Sequence, residues 1–131
     1  MKVKDMTQED RELLLKDLCG RLPYGVKVLD NSHKNYGVSK LINIGIDGSM
    51  LIDNETNDTQ YYPIIDETRP YLRPLSSMTE EEKTDYQAFF NYDGVEYPEE
   101  YIDWLNAHHF DYRGLIGKGL ALEAPNDMYK T

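Results

Sequence analysis

The stretch "LINIGIDGSMLI" (Leu41–Ile52) decides the fold class. Apolar side chains recur at every second position, Ile42, Ile44 and Ile46 ahead of an Asp47-Gly48 pair and Met50 and Ile52 behind it. A period of two belongs to β-strands, because successive side chains leave opposite faces of the pleat. Asp-Gly supplies the two positive-φ positions of a type I′ turn, so the stretch predicts an antiparallel hairpin. Working outward, Val26 and Val28 on one side and "TQYYPII" (Thr59–Ile65) on the other continue the pattern. Polar loops at 30–37 and 53–58 separate the runs. Together they predict an antiparallel meander of about four strands over residues 24–65.

Both flanks switch to a helical period. Thr7 followed by Gln8, Glu9 and Asp10 is an N-cap with acidic residues in the first turn, where carboxylates offset the unpaired amides and the helix dipole. Leu14, Leu15, Leu18 and Leu22 then form one stripe, with Glu12, Lys16 and Asp17 read as the solvent side and Gly20 and Pro23 as the stop. Downstream, Thr79 and Glu82 make a second capping box, ahead of a helix carrying Tyr86, Phe89 and Phe90. Pro98 opens a third helix backed by Glu99 and Glu100, with Tyr101, Ile102, Trp104 and Leu105 inward. Pro70 and Pro74 punctuate residues 66–78, which read as an extended connector.

The resulting expectation is one α+β domain over residues 1–131. Residues 1–6 are a candidate disordered arm, 7–22 a helix, 24–65 a sheet, 66–78 a connector, and 79–125 a helical part whose two or three helices pack on the sheet. The amino-terminal lysines have no apolar run behind them, and nothing approaches the ~20 apolar residues a membrane helix needs, so a cytoplasmic protein without membrane contact is expected. Cys19 is the single cysteine, which rules out an internal disulfide or a cysteine-based zinc cluster; its place in a leucine-rich helix predicts a buried, inert thiol.

The net charge of −10 is unevenly spread: residues 79–111 hold ten carboxylates against one lysine. Such a field repels nucleic acid phosphates, which argues against direct DNA or RNA binding. Glu80, Glu81, Glu82, Glu99 and Glu100 fall in helix first turns, where each contributes ~0.3–1 kcal/mol. Glu81, Asp85 and Asp103 are candidates for an acidic face that attracts a basic protein.

"WLNAHHFDYRGL" (Trp104–Leu115) is the densest run of chemically capable side chains. His108, His109 and Asp111 are the candidate metal ligands, but adjacent helical residues diverge by about 100°, whereas paired histidine ligands sit at i and i+4. The alternative is a corner in which one imidazole bonds a carbonyl, Asp111 caps the next turn and Arg113 pairs with a carboxylate. No catalytic pair, nucleophile or cofactor motif stands out. "GLIGKG" (114–119) lacks the first Gly and the final Ser or Thr of a phosphate loop. Eleven of fifteen aromatic residues are tyrosines, a residue type favoured in interfaces. Tyr61, Tyr62, Arg69, Tyr71 and Arg73 therefore form a candidate partner-contact patch.

The phrases "RPYLRPLSSMTEEEK" (69–83) and "YPEEYIDWLNAHHFDYRGLIGKGLALEAP" (97–125) resemble small uncharacterised proteins of gut Bacteroides and of their phages or prophages. That family has no assigned activity, so the resemblance, over roughly 69–125, carries no site residues. It implies a bacterial or phage setting, in which small proteins often act by binding another protein. The first expectation is thus a non-catalytic protein-binding accessory protein with a Tyr/Arg patch and an acidic rim, with self-association left open. The rivals are an acidic nucleic-acid mimic that blocks a DNA-binding partner and a small metal-dependent hydrolase centred on the His-His-Phe-Asp run.

Overall fold

A computed structural model describes residues 6–31, 37–45, 49–54, 59–91, 94–95 and 97–129. The chain is α+β. Helix α1 (Gln8–Arg21) leads into strands β1 (Lys27–Asp30), β2 (Val38–Ile44), β3 (Met50–Asn54) and β4 (Thr59–Tyr61), which form the meander. Strand β5 (Thr68–Leu72) follows, then helix α2 (Glu80–Gln87), the two-residue strands β6 (Phe90–Asn91) and β7 (Gly94–Val95), helix α3 (Pro98–Ala107) and strand β8 (Leu122–Glu123). The main sheet runs β4-β3-β2-β1-β5-β8, antiparallel except where β8 joins β5 in parallel; β6 and β7 pair as a separate hairpin. Among the described residues no helix is long and apolar enough to cross a membrane.

The sequence signals set the local structure, with several differences. In the Leu41–Ile52 hairpin, Leu41 faces Ile52 but Asn43 faces Leu51, so a bulge falls at Ile42 and resets the alternation. Leu41 is buried ahead of the bulge and Ile44 packs on the core after it. The Gly45 N–H donates to the Ser49 carbonyl at 2.7 Å to close the hairpin; Asp47-Gly48 lies outside the described residues. Next, the segment read as a connector holds β5, inserted between β1 and β8. Pro70 is tolerated there because β8 pairs only with Tyr71 and Leu72, so β5 is still a sheet edge at Pro70. The part after residue 79, read as two or three helices, likewise contributes β6, β7 and β8. Finally, Met6, placed in the candidate disordered arm, is buried in the core; residues 1–5 lie outside the described residues.

Both capping boxes form. The Thr7 Oγ1 accepts from the Asp10 N–H at 3.1 Å, and Thr79 Oγ1 accepts from Glu82 N–H at the same distance. Helix α1 continues through Gly20 to Arg21. A Cβ on Gly20 would sit 3.1 Å from Asn106 Nδ2, so this glycine serves the close approach of α3 and does not stop the helix. Leu14 and Leu18 meet Val26, Val28, Leu41, Met50, Ile52 and Leu72 of the sheet and Leu115 and Leu120 of the final loop, which makes one core. Cys19, one residue past Leu18, is exposed, contrary to the buried thiol expected from its place in a leucine-rich helix.

Asp17 also departs from the expected solvent side: it is wholly buried. Arg21, one turn on, is fully buried with it and donates to both Asp17 oxygens at 2.7 and 3.1 Å. Arg21 also donates to the Phe110 carbonyl at 2.6 Å, and Arg113 Nε approaches Asp17 at 3.3 Å. Both guanidiniums lie over the Tyr112 ring. This network fastens α1 to the corner that follows α3.

Candidate functional site

The corner after α3 places the histidines. His109 adopts φ 62°, the left-handed position that usually carries glycine at the end of a helix, and the Phe110 N–H reaches back to the Leu105 carbonyl at 3.0 Å. This reversal points the two imidazoles at different partners. His108 lies 4.4 Å from the Trp104 ring centroid, while His109 stacks on Tyr129 at 3.6 Å. Asp111 spends both oxygens on the Leu115 and Ile116 N–H groups, at 2.8 and 3.0 Å, and so caps the following turn. Among the described residues no three His, Cys, Asp or Glu side chains gather as a metal would require.

The reversal also brings the end of β5 beside the corner. The Arg73 N–H donates to the His109 carbonyl, and the Asp111 N–H to the Arg73 carbonyl, both at 2.8 Å. On the other side the Ala124 N–H donates to Leu72 at 2.7 Å. Tyr129 then fixes the carboxy-terminal segment: its hydroxyl accepts from the Lys27 N–H at 2.9 Å and donates to the Tyr71 carbonyl at 2.7 Å. Between this segment and α2 lies an open cleft of about 700 Å³. Arg73, His108, His109 and Tyr129 line it together with Glu81, Glu82 and Asp85 of α2 and Glu123 of β8. A cleft of that size is in the range of small-ligand sites.

Its electrostatics follow from one pair. Glu82 takes two bonds from the Arg73 guanidinium at 2.7 and 2.8 Å while capping α2 through the Thr79 N–H at 2.9 Å. The Arg73 bond holds the Glu82 carboxyl down to about 2, against the penalty of its partial burial, with help from the Thr79 amide and from the charge of His108. His109 is pushed down to about 4, first by burial and then by the nearby charges of Arg21 and Arg73, so its ring is neutral at physiological pH. The His108 Nδ1 lies 2.8 Å from the Trp104 carbonyl, an acceptor only; in the neutral ring that places the proton on Nδ1 and the lone pair on Nε2.

The Tyr/Arg contact residues are not brought together. Tyr61 ends β4, and Tyr71 on β5 is four strand spacings away, roughly 19 Å across the sheet. Tyr62, next to β4, is 73% exposed. Arg69 is buried and donates to the carbonyls of Gly119, Asp66 and Thr68, so it braces loops and presents no charge to a partner. Tyr71 is half-buried, and Arg73 belongs to the cleft.

The acidic candidates sit on a second feature, a layer made by α2, the β6–β7 hairpin and α3. Aromatic contacts join it: Tyr86 to Tyr101 at 5.9 Å, Phe89 to Tyr101 at 5.5 Å and Phe89 to Trp104 at 6.0 Å. Burial and a hydrogen bond with Tyr86 push the Tyr101 hydroxyl up to about 12. Phe90 and Ile102, expected to pack on the sheet, are partly exposed instead. Phe90 faces Val95 across the hairpin, and with Tyr97 just beyond they leave 42%, 38% and 62% of their surface in solvent. Glu81 and Asp85 on α2, and Glu99 and Asp103 on α3, each stand one helical turn apart, exposed and without an ion-pair partner among the described residues. The exposed apolar hairpin left no clear sequence signal, because Phe90, Val95 and Tyr97 read equally well as core.

No protein-family model, no curated protein and no solved structure matches the chain.

Proposed function

We propose that this protein is a non-catalytic binding protein whose carboxy-terminal layer receives a basic protein partner. The observation that carries the reading is the exposed hairpin trio Phe90, Val95 and Tyr97 set beside two helices with unpaired carboxylate stripes. Apolar side chains supply the desolvated centre of an interface, and the surrounding carboxylates favour a cationic partner and speed its encounter. The nucleic-acid-mimic reading uses the same carboxylates but leaves the apolar trio without a role, since a phosphate backbone has no counterpart to it. The hydrolase reading loses its centre, because the two Asp111 oxygens are spent on backbone amides. The bacterial or phage setting is part of the proposal and rests on the resemblance of residues 69–125.

The test is calorimetry with an amphipathic lysine-rich helical peptide at low and high salt. Binding is expected to weaken as salt rises. The fourfold variant Glu81→Gln, Asp85→Asn, Glu99→Gln, Asp103→Asn is expected to lose about tenfold or more in affinity, roughly 1.4 kcal/mol, and to stay folded with a stability loss of no more than about 2 kcal/mol from its two first-turn glutamates. Equal affinity of parent and variant would overturn the reading.

A further inference from the structure

The segment after β8 is held in an unusual way. Pro125, Asn126 and Asp127 are exposed, and the stretch they begin is fastened at Tyr129. The fastening joins three elements. The Tyr129 hydroxyl accepts from the Lys27 N–H of β1 and donates to the Tyr71 carbonyl of β5, and its ring lies flat on His109, 3.6 Å between centroids and 16° between planes. Pro125, Asn126 and Tyr129 also line the cleft, so freeing Tyr129 removes one wall of it.

The surroundings of His109 suit a neutral ring and no other. The residue is 7% exposed, and its Nδ1 is buried without a hydrogen-bond partner. The charged ring carries a hydrogen on both nitrogens, so protonation would leave a buried donor with nothing to accept it. The charges acting on the ring are positive: Arg21 of α1, Lys27 of β1, Arg73 just past β5 and His108 at the end of α3. Tyr129 adds a phenol, which brings no negative charge in neutral or acid solution. The carboxylates beside those arginines are engaged, Asp17 by Arg21 and Glu82 by Arg73. Glu81, Asp85 and Glu123 stand on exposed walls of the cleft. An imidazolium so placed reaches water most readily by displacing Tyr129. Helix α1, β1 and β5 are locked together through the fully buried Leu18, Val28 and Leu72, whereas residues 125–127 are already in solvent.

We propose that residues 125–129 form an acid-released strap: protonation of His109 frees Tyr129 and lifts this segment off β1, β5 and the cleft while the core stays folded. The inference stands apart from the basic-partner reading, which rests on α2, α3 and the hairpin.

The experiment is amide hydrogen exchange of the full chain, read residue by residue by nuclear magnetic resonance from pH 7 to 4.5. The Lys27 N–H is covered by the Tyr129 hydroxyl and reports the strap; the Leu41 N–H, bonded to the Val26 carbonyl, reports the core. The ring titrates near 4 under the strap and near 6.5 once free, so the open form binds the proton more readily and acid favours it. The Lys27 protection factor is expected to fall by up to about fiftyfold over this range, and to stay below that of Leu41 throughout. His109→Asn, uncharged at every pH and tolerant of the left-handed backbone, should make the Lys27 protection factor independent of pH. Tyr129→Phe keeps the ring but not the hydroxyl, and should expose the Lys27 amide already at pH 7 while Leu41 remains protected. Equal protection of Lys27 and Leu41 in acid, a parent Lys27 protection factor that ignores pH, an unchanged slope in His109→Asn, or a fully protected Lys27 in Tyr129→Phe would each overturn the proposal.

Discussion

The two halves of this molecule are built on different terms. Where α1 meets the sheet, Leu14, Leu18, Val26, Val28, Ile52 and Leu72 are completely withdrawn from water. Helix α2 buries no residue at all, and its layer is held by aromatic rings in contact over 5–6 Å with much of their surface still wet. Each fully buried aliphatic side chain contributes about 1.5–3 kcal/mol, so most of the stability resides in the first half. The layer of α2 and the hairpin gives up burial and keeps charge and exposed rings, the features on which the proposed partner binding rests. Between the halves lies the Asp17–Arg21–Arg113 network, the joint through which one half positions the other.

This contrast can be broken at the joint first. Asp17→Ala leaves two guanidiniums facing each other without their carboxylate, and about 3–5 kcal/mol of unfolding free energy should disappear in chemical denaturation. A loss under about 1 kcal/mol would mean that the network does not hold the halves together. Next, Leu18→Ala should cost about 2–5 kcal/mol as a cavity opens in the tight core. The half-exposed Phe90→Ala should cost no more than about 1 kcal/mol while still weakening partner binding, which calorimetry with the basic peptide would read. Comparable losses at the two sites would erase the distinction.

Acid sharpens the comparison within the second half. His109 titrates near 4 in the folded chain against about 6.5 when unfolded, so the unfolded state binds the proton more readily. Its contribution to stability is complete above pH 6.5 and is lost as pH falls toward 4, by up to about 3 kcal/mol. Glu82 follows at lower pH: its stabilising effect is present above 4.5 and disappears toward 2 as Arg73 loses its carboxylate partner. His109→Gln should flatten the first of these limbs and leave the second. A melting curve across pH 7 to 3 that is identical for parent and variant would contradict the assignment.

The fold was readable wherever the signal was local. Thr7 and Thr79 with their partners three residues on, Pro98 at a helix start, and the alternation through Leu41–Ile52 all name their element, because caps and pleats act within one turn or one pair. What stayed hidden depends on distant partners. Pro70 reads as a chain breaker, and only the late arrival of β8 makes it acceptable in β5. Asp17 reads as a surface carboxylate until Arg113 and Phe110, about ninety residues downstream, supply its surroundings. The site was legible in the same measure. Helical spacing predicts diverging rings for adjacent histidines, but in the structure the left-handed reversal at His109, past the end of α3, parts them, and the cleft joining them to Glu81, Asp85 and Glu123 exists only after β5, α2 and the last segment come together. The tyrosine-arginine patch failed as a contiguous surface because proximity in sequence does not survive a sheet in which β4 and β5 are separated by three strands.

The central claim, that the partner seats on the carboxy-terminal layer, has a direct competitor inside the molecule. Tyr62, just past β4 at the opposite edge of the sheet, is also exposed, at 73%. Amide hydrogen exchange with and without the lysine-rich amphipathic peptide distinguishes the two surfaces in one measurement. Slower exchange across residues 80–103, with residues 59–64 unchanged, is the predicted result. Protection confined to residues 59–64, or none at either place under conditions where calorimetry detects binding, would contradict it.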